Sequence, residues 1–265
     1  MNKVIEVNQL VKTFGRPPNL FHPTSREVKA LKNISIDLYE GETLAIVGES
    51  GSGKSTLARI LVGLEQETSG EIRILGKNRS QWQKQGARAF GQAIQYVFQD
   101  PVASLNPRKT IGETLSVPLK YLKQMNKSEQ THRLHELLEA VSMPLDALAC
   151  YPHEFSGGQA QRLAIARALA ADAQILVLDE PVSALDVSVQ AQVLLLLLQE
   201  LKTQFSLSYL FISHDLAVVE SIADRVAVLY LGDLLECQET HRLFAAPEQS
   251  YTQNLLTSAP RLSFE

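Results

Sequence analysis

The stretch Ile46–Thr56 constrains this chain most, because a glycine-rich loop lies between the two elements expected on either side of it. The apolar run Thr43–Val47 predicts a buried strand, and the residues from Lys54 onward predict the start of a helix. Glycines let backbone N–H groups surround a phosphate chain, while the helix N-terminus and a lysine add positive charge. The arrangement therefore indicates an α/β protein that binds a nucleoside triphosphate rather than a loop that merely turns the chain.

The nucleotide contacts expected from this loop form one continuous run. They are Gly48, Glu49, Ser50, Gly51, Ser52, Gly53, Lys54, Ser55 and Thr56. The Ser55 hydroxyl is also expected to bind Mg²⁺, as the corresponding hydroxyl does in phosphate-binding loops of this pattern. ATP and Mg²⁺ are therefore the expected cofactors.

Composition excludes some classes of function. The chain has 265 residues, which is enough for one large domain. Its net charge of −4 provides no overall positive potential that would attract nucleic acid. Its longest apolar run, Val193–Leu198, is far shorter than the roughly 20 residues that span a bilayer, and its first residues lack the apolar core of a secretion signal. Cys150 and Cys237 stand far apart, which favours reduced thiols over a disulfide or metal site. These features predict a cytosolic protein without a nucleic-acid partner.

The rest of the sequence predicts further strands and helices. We expect strands at residues 4–13, 30–38, 71–75, 94–98, 175–180, 209–213, 225–229 and 234–236, the first two paired with each other. We expect helices at residues 56–64, 159–171, 187–204 and 216–223, the third so rich in leucine that it should be largely buried. Residues 77–93 are polar and predict a solvated helix or loop. The fully apolar strand that ends at Asp179 is typical of a central parallel strand.

Residues 99–172 differ in character and predict a helical insert. Ser128 is the expected cap of a helix with leucines on one face. His132 and His135 lie on that helix, where a solvated face is favoured over a metal site because no carboxylate or cysteine completes a ligand set. The chain is thus predicted to divide into a core of residues 1–98 and 173–239, the helical insert, and a tail of residues 240–265.

Polar side chains follow several of the predicted strands. Asp179 closes an apolar strand, where proteins with phosphate-binding loops hold Mg²⁺. Glu180 follows it and can deprotonate a water molecule aimed at the γ-phosphate. Gln99 and His214 end neighbouring strands, so we expect them in the same site, His214 near phosphate and Gln99 also as a metal ligand.

Phe155-Ser-Gly-Gly-Gln159 resembles the Leu-Ser-Gly-Gly-Gln signature of ATP-binding cassette (ABC) ATPases. The family's other markers occur in its usual order over nearly the whole chain. The resemblance implies a single domain, residues 1–265, with the P-loop NTPase ABC-ATPase fold. That fold has a mostly parallel core sheet, an N-terminal antiparallel β part and a helical subdomain insert.

The same resemblance implies a head-to-tail dimer with two ATP molecules at the interface. The residues that it adds to the nucleotide site are Ser156, Gly157, Gly158, Gln159 and Asp186. Phe14 is then the aromatic residue that stacks on adenine, with Phe21 as an alternative. Phe155 in place of leucine and Ala160 in place of a longer polar residue depart from the pattern without touching a phosphate contact.

Three further stretches resemble the branch of this family that imports dipeptides, oligopeptides and nickel: Asp100–Arg108, Glu180–Gln190 and Ser250–Leu256. This implies two membrane permeases, a second cassette ATPase (different or identical) and a solute-binding protein outside the cell. The chain would lie peripherally on the cytoplasmic face of the inner membrane. No cysteine follows the last stretch, so we expect no iron–sulfur cluster. Peptide and nickel or a metal chelate both remain possible cargoes.

Other classes of function fit less well. Repair-type ABC proteins insert a long coiled coil before the signature, but here only 57 positions separate Gln99 from Ser156, without heptads. Translation-type members carry two cassettes, and this chain has room for one. A P-loop kinase or GTPase would not carry the Ser-Gly-Gly-Gln motif.

Overall fold

A computed structural model describes residues 2–15, 27–183 and 188–258. The chain forms two compact units, Met1–Arg79 with Leu210–Glu265, and Ser80–Tyr209. The predicted helical insert, residues 99–172, lies inside the second unit together with one strand on either side of it.

The predicted strands and helices occur in the predicted order along the chain. The strands are β1 (Lys3–Phe14), β2 (Val28–Tyr39), β3 (Thr43–Val47), β4 (Ser69–Ile74), β5 (Lys77–Asn78), β6 (Ile94–Val97), β7 (Ile175–Asp179), β8 (Ser208–Ile212), β9 (Arg225–Tyr230) and β10 (Asp233–Glu239). The helices are α1 (Lys54–Leu61), α2 (Arg79–Gln85), α3 (Ala87–Ala93), α4 (Ile111–Tyr121), α5 (Lys127–Ala140), α6 (Gly157–Leu169), α7 (Ser188–Gln204), α8 (Leu216–Ile222), α9 (Thr240–Ala245) and α10 (Ser250–Ser258).

The first unit contains an antiparallel sheet in the order β2-β1-β4-β5. The predicted pairing of the two N-terminal strands is confirmed, since β1 runs antiparallel to β2. Ile5, Val7 and Leu10 of β1 are buried, and a register shift between Val7 and Leu10 keeps both on the core side despite their odd spacing.

Strands β3, β9 and β10 also belong to the first unit. Strand β3 pairs in parallel with β9, and β10 pairs with β9 in antiparallel fashion. Every residue of β3 is buried, as its continuous apolar sequence predicts. Buried residues of β3, β9, α8 and α9 form one hydrophobic core: Ala45, Val47, Leu216, Val219, Val226, Val228 and Leu243. This core fixes the strand that leads into the glycine-rich loop.

The second unit pairs β6 with β7 in parallel, from Ile94 opposite Ile175 to Val97 opposite Leu178. Helices α4, α5 and α6 pack against one another in the same unit. The prediction that Ser128 caps α5 was wrong. Asn126 is the cap, because its side chain accepts a hydrogen bond from the Glu129 N–H while the Glu129 carboxylate accepts one from the Asn126 N–H.

Two predicted helices differ from their expected form. Helix α1 ends at Leu61 instead of continuing to residue 64, since Gly63 adopts a left-handed φ of 76° that stops it. Helix α7 is not largely buried, because one stripe faces solvent and contains the apolar residues Val189, Val193 and Leu196. Its leucine-rich sequence has too many apolar residues for one helix face to bury.

The polar region, residues 77–93, contains the short helices α2 and α3 and is mainly exposed or half-buried, as predicted. Trp82 and Ala93 are the exceptions, because both are buried. Trp82 packs edge-on against Phe90. Cys150 and Cys237 are free thiols. Burial raises the pKa of the Cys237 thiol, and the nearby Arg225 guanidinium partly opposes this shift.

Candidate functional site

The glycine-rich loop has a backbone that only glycine adopts without strain at its key positions. Gly48 has a φ of 143° and Gly53 a φ of 109°. A Cβ at Gly48 would lie 2.1 Å from the carbonyl oxygen of Leu229, and one at Gly53 would lie 2.6 Å from that of Ala30. Close packing against neighbouring backbone therefore requires glycine at both positions.

Lys54 is buried at the start of α1 and curls back over the loop. Its Nζ donates hydrogen bonds to the carbonyl oxygens of Gly48 at 2.7 Å and Glu49 at 2.9 Å. The Ser52 hydroxyl is also buried and has no hydrogen-bond partner among the described residues. An unsatisfied buried hydroxyl, a buried ammonium group and the first N–H groups of a helix fit a phosphate group.

Tyr251 on α10 contacts the loop from the C-terminal part of the chain. Its hydroxyl accepts a hydrogen bond from the Glu49 N–H at 3.3 Å, and its ring lies 4.3 Å from that of Tyr230. Burial raises the pKa of Tyr251, while the Glu49 N–H acts in the opposite direction. The sequence pattern marked Ser250–Leu256 only as a family motif and carried no signal for this contact.

In the second unit, Asp179 ends β7 with its side chain buried. The Tyr96 hydroxyl on β6 donates a hydrogen bond to Asp179 Oδ2 at 2.5 Å. Sequence reasoning missed Tyr96, although a tyrosine inside an apolar strand just before Gln99 was a usable signal, because a buried phenol needs a hydrogen-bond partner.

Gln99 and Glu180 lie together in the same unit. Gln99 Nε2 donates to Glu180 Oε2 at 2.7 Å. Glu180 has a left-handed φ of 48°, and its carbonyl oxygen accepts hydrogen bonds from the N–H and the hydroxyl of Ser183. The turn that ends at Ser183 therefore holds Glu180 in a conformation that is strained for a non-glycine residue. The oxygen atoms of Asp179, Glu180 and Gln99 are the donor type that Mg²⁺ prefers.

The segment after Gln99 is connected to α6 by an arginine. Arg167 on α6 donates a hydrogen bond to the carbonyl oxygen of Ser104 at 2.6 Å. The Asp100 carboxylate accepts one from the Ala103 N–H, which folds the segment into a turn. Burial lowers the pKa of Arg167. The loop that begins at Gln99 is therefore connected to the helix that begins at the Ser-Gly-Gly turn.

The Ser-Gly-Gly-Gln turn forms the exposed N-terminus of α6. The Ser156 hydroxyl accepts a hydrogen bond from the Gln159 N–H, and the Gln159 side chain accepts one from the Ser156 N–H. This capping box leaves the N–H groups of Gly157 and Gly158 at the first turn, where a helix favours an anion.

The other predicted site residues lie in the first unit or outside the described residues. Phe14 ends β1 with 39% of its surface exposed, and Lys12 Nζ lies 4.6 Å from its ring centroid. His214 is exposed after β8, next to Asp215, which caps α8. Asp186 and Phe21 lie outside the described residues. The first unit thus holds the glycine-rich loop, Phe14 and His214, and the second holds Gln99, Asp179, Glu180 and the Ser-Gly-Gly turn.

A glycine-rich loop that opens a helix, together with paired carboxylates at the end of a buried parallel strand, defines an α/β nucleoside triphosphatase. The sequence pattern of the ABC transporter family matches residues 31–183. The chain belongs to this family, and it is an ATPase that binds ATP.

Curated relatives match almost the whole chain. The oligopeptide transport ATP-binding protein AppF of Bacillus subtilis is 45% identical over 97% of this chain and 78% of its own length. The dipeptide transport ATP-binding protein DppF of Haemophilus influenzae is 48% identical over 90% of this chain and 72% of its own length. The glutathione import ATP-binding protein GsiA of Escherichia coli is 45% identical over 97% of this chain, which spans 41% of that protein.

Solved structures confirm the predicted ABC-ATPase fold. The dimeric ATP-binding cassette MJ0796, bound to ADP and Pi, has a TM-score of 0.78 at 29% identity, covering 89% of this chain and 98% of that one. CbiO1 of Clostridium perfringens, part of the ABC transporter complex cbiONQ, has a TM-score of 0.79 at 27% identity, covering 94% and 93%. Among the described helices, none has both the length and the apolar character needed to cross a bilayer.

Proposed function

We propose that this chain is the ATP-hydrolysing subunit of an importer that carries small peptides across the cytoplasmic membrane. The observation that supports import most directly is 45% and 48% identity, over most of the chain, to ATP-binding proteins of oligopeptide and dipeptide transport. The branch motifs at residues 100–108, 180–190 and 250–256 support the same assignment. Glutathione, named for a third relative, is itself a small peptide.

ATP binding is assigned first to the glycine-rich loop. The backbone N–H groups of Gly48–Thr56 and the Lys54 ammonium group would hold the phosphates, and the exposed Phe14 ring would stack on adenine. Ser55, Gln99 and Asp179 would supply oxygen ligands for Mg²⁺. When bound, Mg²⁺ neutralises charge on the phosphate oxygens.

Hydrolysis is assigned to Glu180 as the general base. Its carboxylate would orient a water molecule and accept its proton as the water attacks the γ-phosphate. Gln99 already donates a hydrogen bond to this carboxylate, so it is placed to hold Glu180 or the water in position. His214, exposed at the end of β8, would contact the γ-phosphate. The hydrogen bond between Gln99 and Glu180 carries this assignment, because it joins two of the residues predicted separately from sequence.

The exposed turn at Ser156, Gly157, Gly158 and Gln159 is proposed to bind the nucleotide held by a second cassette, either a different ATPase subunit or another copy of this chain. Asp186 would contribute to the same interface. Two membrane permeases would bind the assembled pair on the cytoplasmic face of the membrane, and a solute-binding protein outside the cell would deliver the peptide. No nucleic acid takes part in this scheme.

Co-purification from native membranes tests the transport assignment. The chain is tagged in its own cell, the membranes are solubilised gently, and the proteins that remain bound are identified. We expect two permeases and a cassette ATPase, and the solute-binding protein encoded with them should bind short peptides in calorimetric titrations. Binding of nickel or a metal chelate instead of peptides would reject the cargo. Recovery of ribosomes or DNA-repair factors without permeases would reject transport itself.

A further inference from the structure

Tyr96 and Asp179 lie on neighbouring parallel strands and on the same face of them. In the register of β6 and β7, Tyr96 is opposite Val177, two residues before Asp179. Side chains two residues apart on a strand point to the same face. A tyrosine is long enough to reach one diagonal position along the next strand. The pairing of β6 with β7 therefore brings the phenol to the carboxylate.

The contact between them has a defined direction. Tyr96 and Asp179 are both buried, and the hydroxyl of Tyr96 donates to Asp179 Oδ2. The Tyr96 ring is held edge-on against Phe98, with ring centroids 4.5 Å apart and planes at 71°. The phenol therefore fixes the orientation of the Asp179 carboxylate through one of its oxygen atoms.

We propose that Tyr96 is a positioning residue, which holds the Asp179 carboxylate in the orientation that binds Mg²⁺. This proposal rests on the role of Asp179 as a metal ligand in the proposed function. Carboxylates that ligate metals are held by hydrogen-bond partners behind them, and loss of such a partner typically weakens metal affinity or activity about 10- to 100-fold. Tyr96 occupies the position of such a partner.

The alternative is that the phenol only satisfies a buried carboxylate. A buried charge needs hydrogen-bond donors whether or not a metal binds. In that case, loss of the hydroxyl would lower stability equally with and without metal. The two roles therefore differ in one measurable quantity, the extent to which a divalent cation strengthens nucleotide binding.

The test uses the purified full chain, with AMP-PNP as the nucleotide and Mn²⁺ as the cation. Calorimetry gives the Kd of AMP-PNP with Mn²⁺ and with EDTA, and their ratio measures metal coupling. Tyr96→Phe keeps the ring and removes the hydroxyl, so the ratio should fall about 10-fold while the Kd in EDTA changes less than about twofold.

Tyr209→Phe is the matched control. Tyr209 is another buried tyrosine of the second unit, and its hydroxyl donates to the carbonyl oxygen of Leu198 at 2.9 Å. Tyr209→Phe should lower stability without changing the ratio of the two AMP-PNP Kd values. If Tyr96→Phe does not fold, Tyr96→Met is measured by the same criterion, because a flexible methionine fills irregular space.

Asp179→Asn separates the two proposals. A wild-type ratio in Asp179→Asn would reject the metal role of Asp179 and the proposed function with it. A ratio reduced by Asp179→Asn but unchanged by Tyr96→Phe would overturn only the positioning role of Tyr96. A reduction in both variants, with Tyr209→Phe unchanged, supports the proposal.

Discussion

Gly48 and Gly51 belong to the same loop, yet their surroundings differ. Both have a positive φ, 143° and 80°. A Cβ at Gly48 would lie 2.1 Å from the backbone oxygen of Leu229, whereas a Cβ at Gly51 would meet nothing within 4 Å. A side chain at Gly51 would therefore only strain the backbone. A side chain at Gly48 would strain the backbone and also displace β9, which contains Leu229.

This difference predicts unequal losses of stability. Gly51→Ala should lower the free energy of unfolding by about 1–2 kcal/mol, the strain of a left-handed residue. Gly48→Ala should lower it by about 3 kcal/mol or more, since overpacking adds to that strain. Urea denaturation of both variants measures the difference. Equal losses would show that the approach of Leu229 does not constrain the loop.

Glu180→Gln tests the proposed general base. The amide keeps the size of the side chain but cannot accept the proton of water, so ATP hydrolysis should slow by about 10²-fold or more. ATP binding should remain close to wild type, because Glu180 is assigned no part in holding the phosphates. The rate of phosphate release measures ATP hydrolysis, and calorimetry measures the affinity for ATP. Unchanged turnover would remove Glu180 from the mechanism.

At the scale of elements, three helices of the second unit, α4, α5 and α6, begin with a capping box. Helices α5 and α6 each start with a capping box, Asn126 with Glu129 in α5 and Ser156 with Gln159 in α6. Both satisfy N–H groups of their first turn. Only the capping box of α6 lies in the signature motif. Comparing variants of the α5 and α6 boxes therefore distinguishes a purely structural cap from a cap that also binds a ligand.

Ser156→Ala and Asn126→Ala should each lower stability by about 1 kcal/mol, the usual effect of losing an N-cap. Only Ser156→Ala should weaken ATP-dependent association, because the proposed contact with a partner's nucleotide lies at α6. Urea denaturation and ATP hydrolysis as a function of protein concentration distinguish the two effects. Equal weakening by both variants would assign the Ser156 effect to stability alone.

At the scale of the whole molecule, the described residues form two units that each hold part of the predicted site. In the proposed dimer, the complete site also needs a second chain, because each nucleotide is shared between two chains. Binding to the native state stabilises a protein in proportion to the logarithm of ligand concentration over Kd. Nucleotide should therefore promote both folding and association.

A dimer trapped with ATP is the expected consequence. Glu180→Gln with ATP and Mg²⁺ should elute as a dimer from gel filtration, because bound ATP is hydrolysed about 10²-fold more slowly. EDTA should return it to a monomer, and Glu180→Gln combined with Ser156→Ala should remain monomeric. A monomer under all conditions would show that this chain does not pair with itself and would leave a different cassette as its partner.

Elements with strong local patterns were predicted well. The buried strand β3, the glycine-rich loop and the apolar strand β7 all depend on runs of residues that are close in sequence. The predictions that were wrong concern the ends of helices and the helix faces that are exposed to solvent. The cap of α5 lay two residues before Ser128, and the exposed stripe of α7 was hidden by its leucine-rich sequence. Boundaries and faces depend on packing that a local pattern does not contain.

The sequence by itself determined the loop, the carboxylate pair and the family, because these depend on residue types at short, fixed spacings. Only the tertiary structure decided which side chains support them. Tyr96 meets Asp179 across 83 positions, Gln99 meets Glu180 across 81, and Tyr251 reaches Glu49 across 202. Such contacts follow from strand pairing and packing between distant segments, which local propensity does not encode.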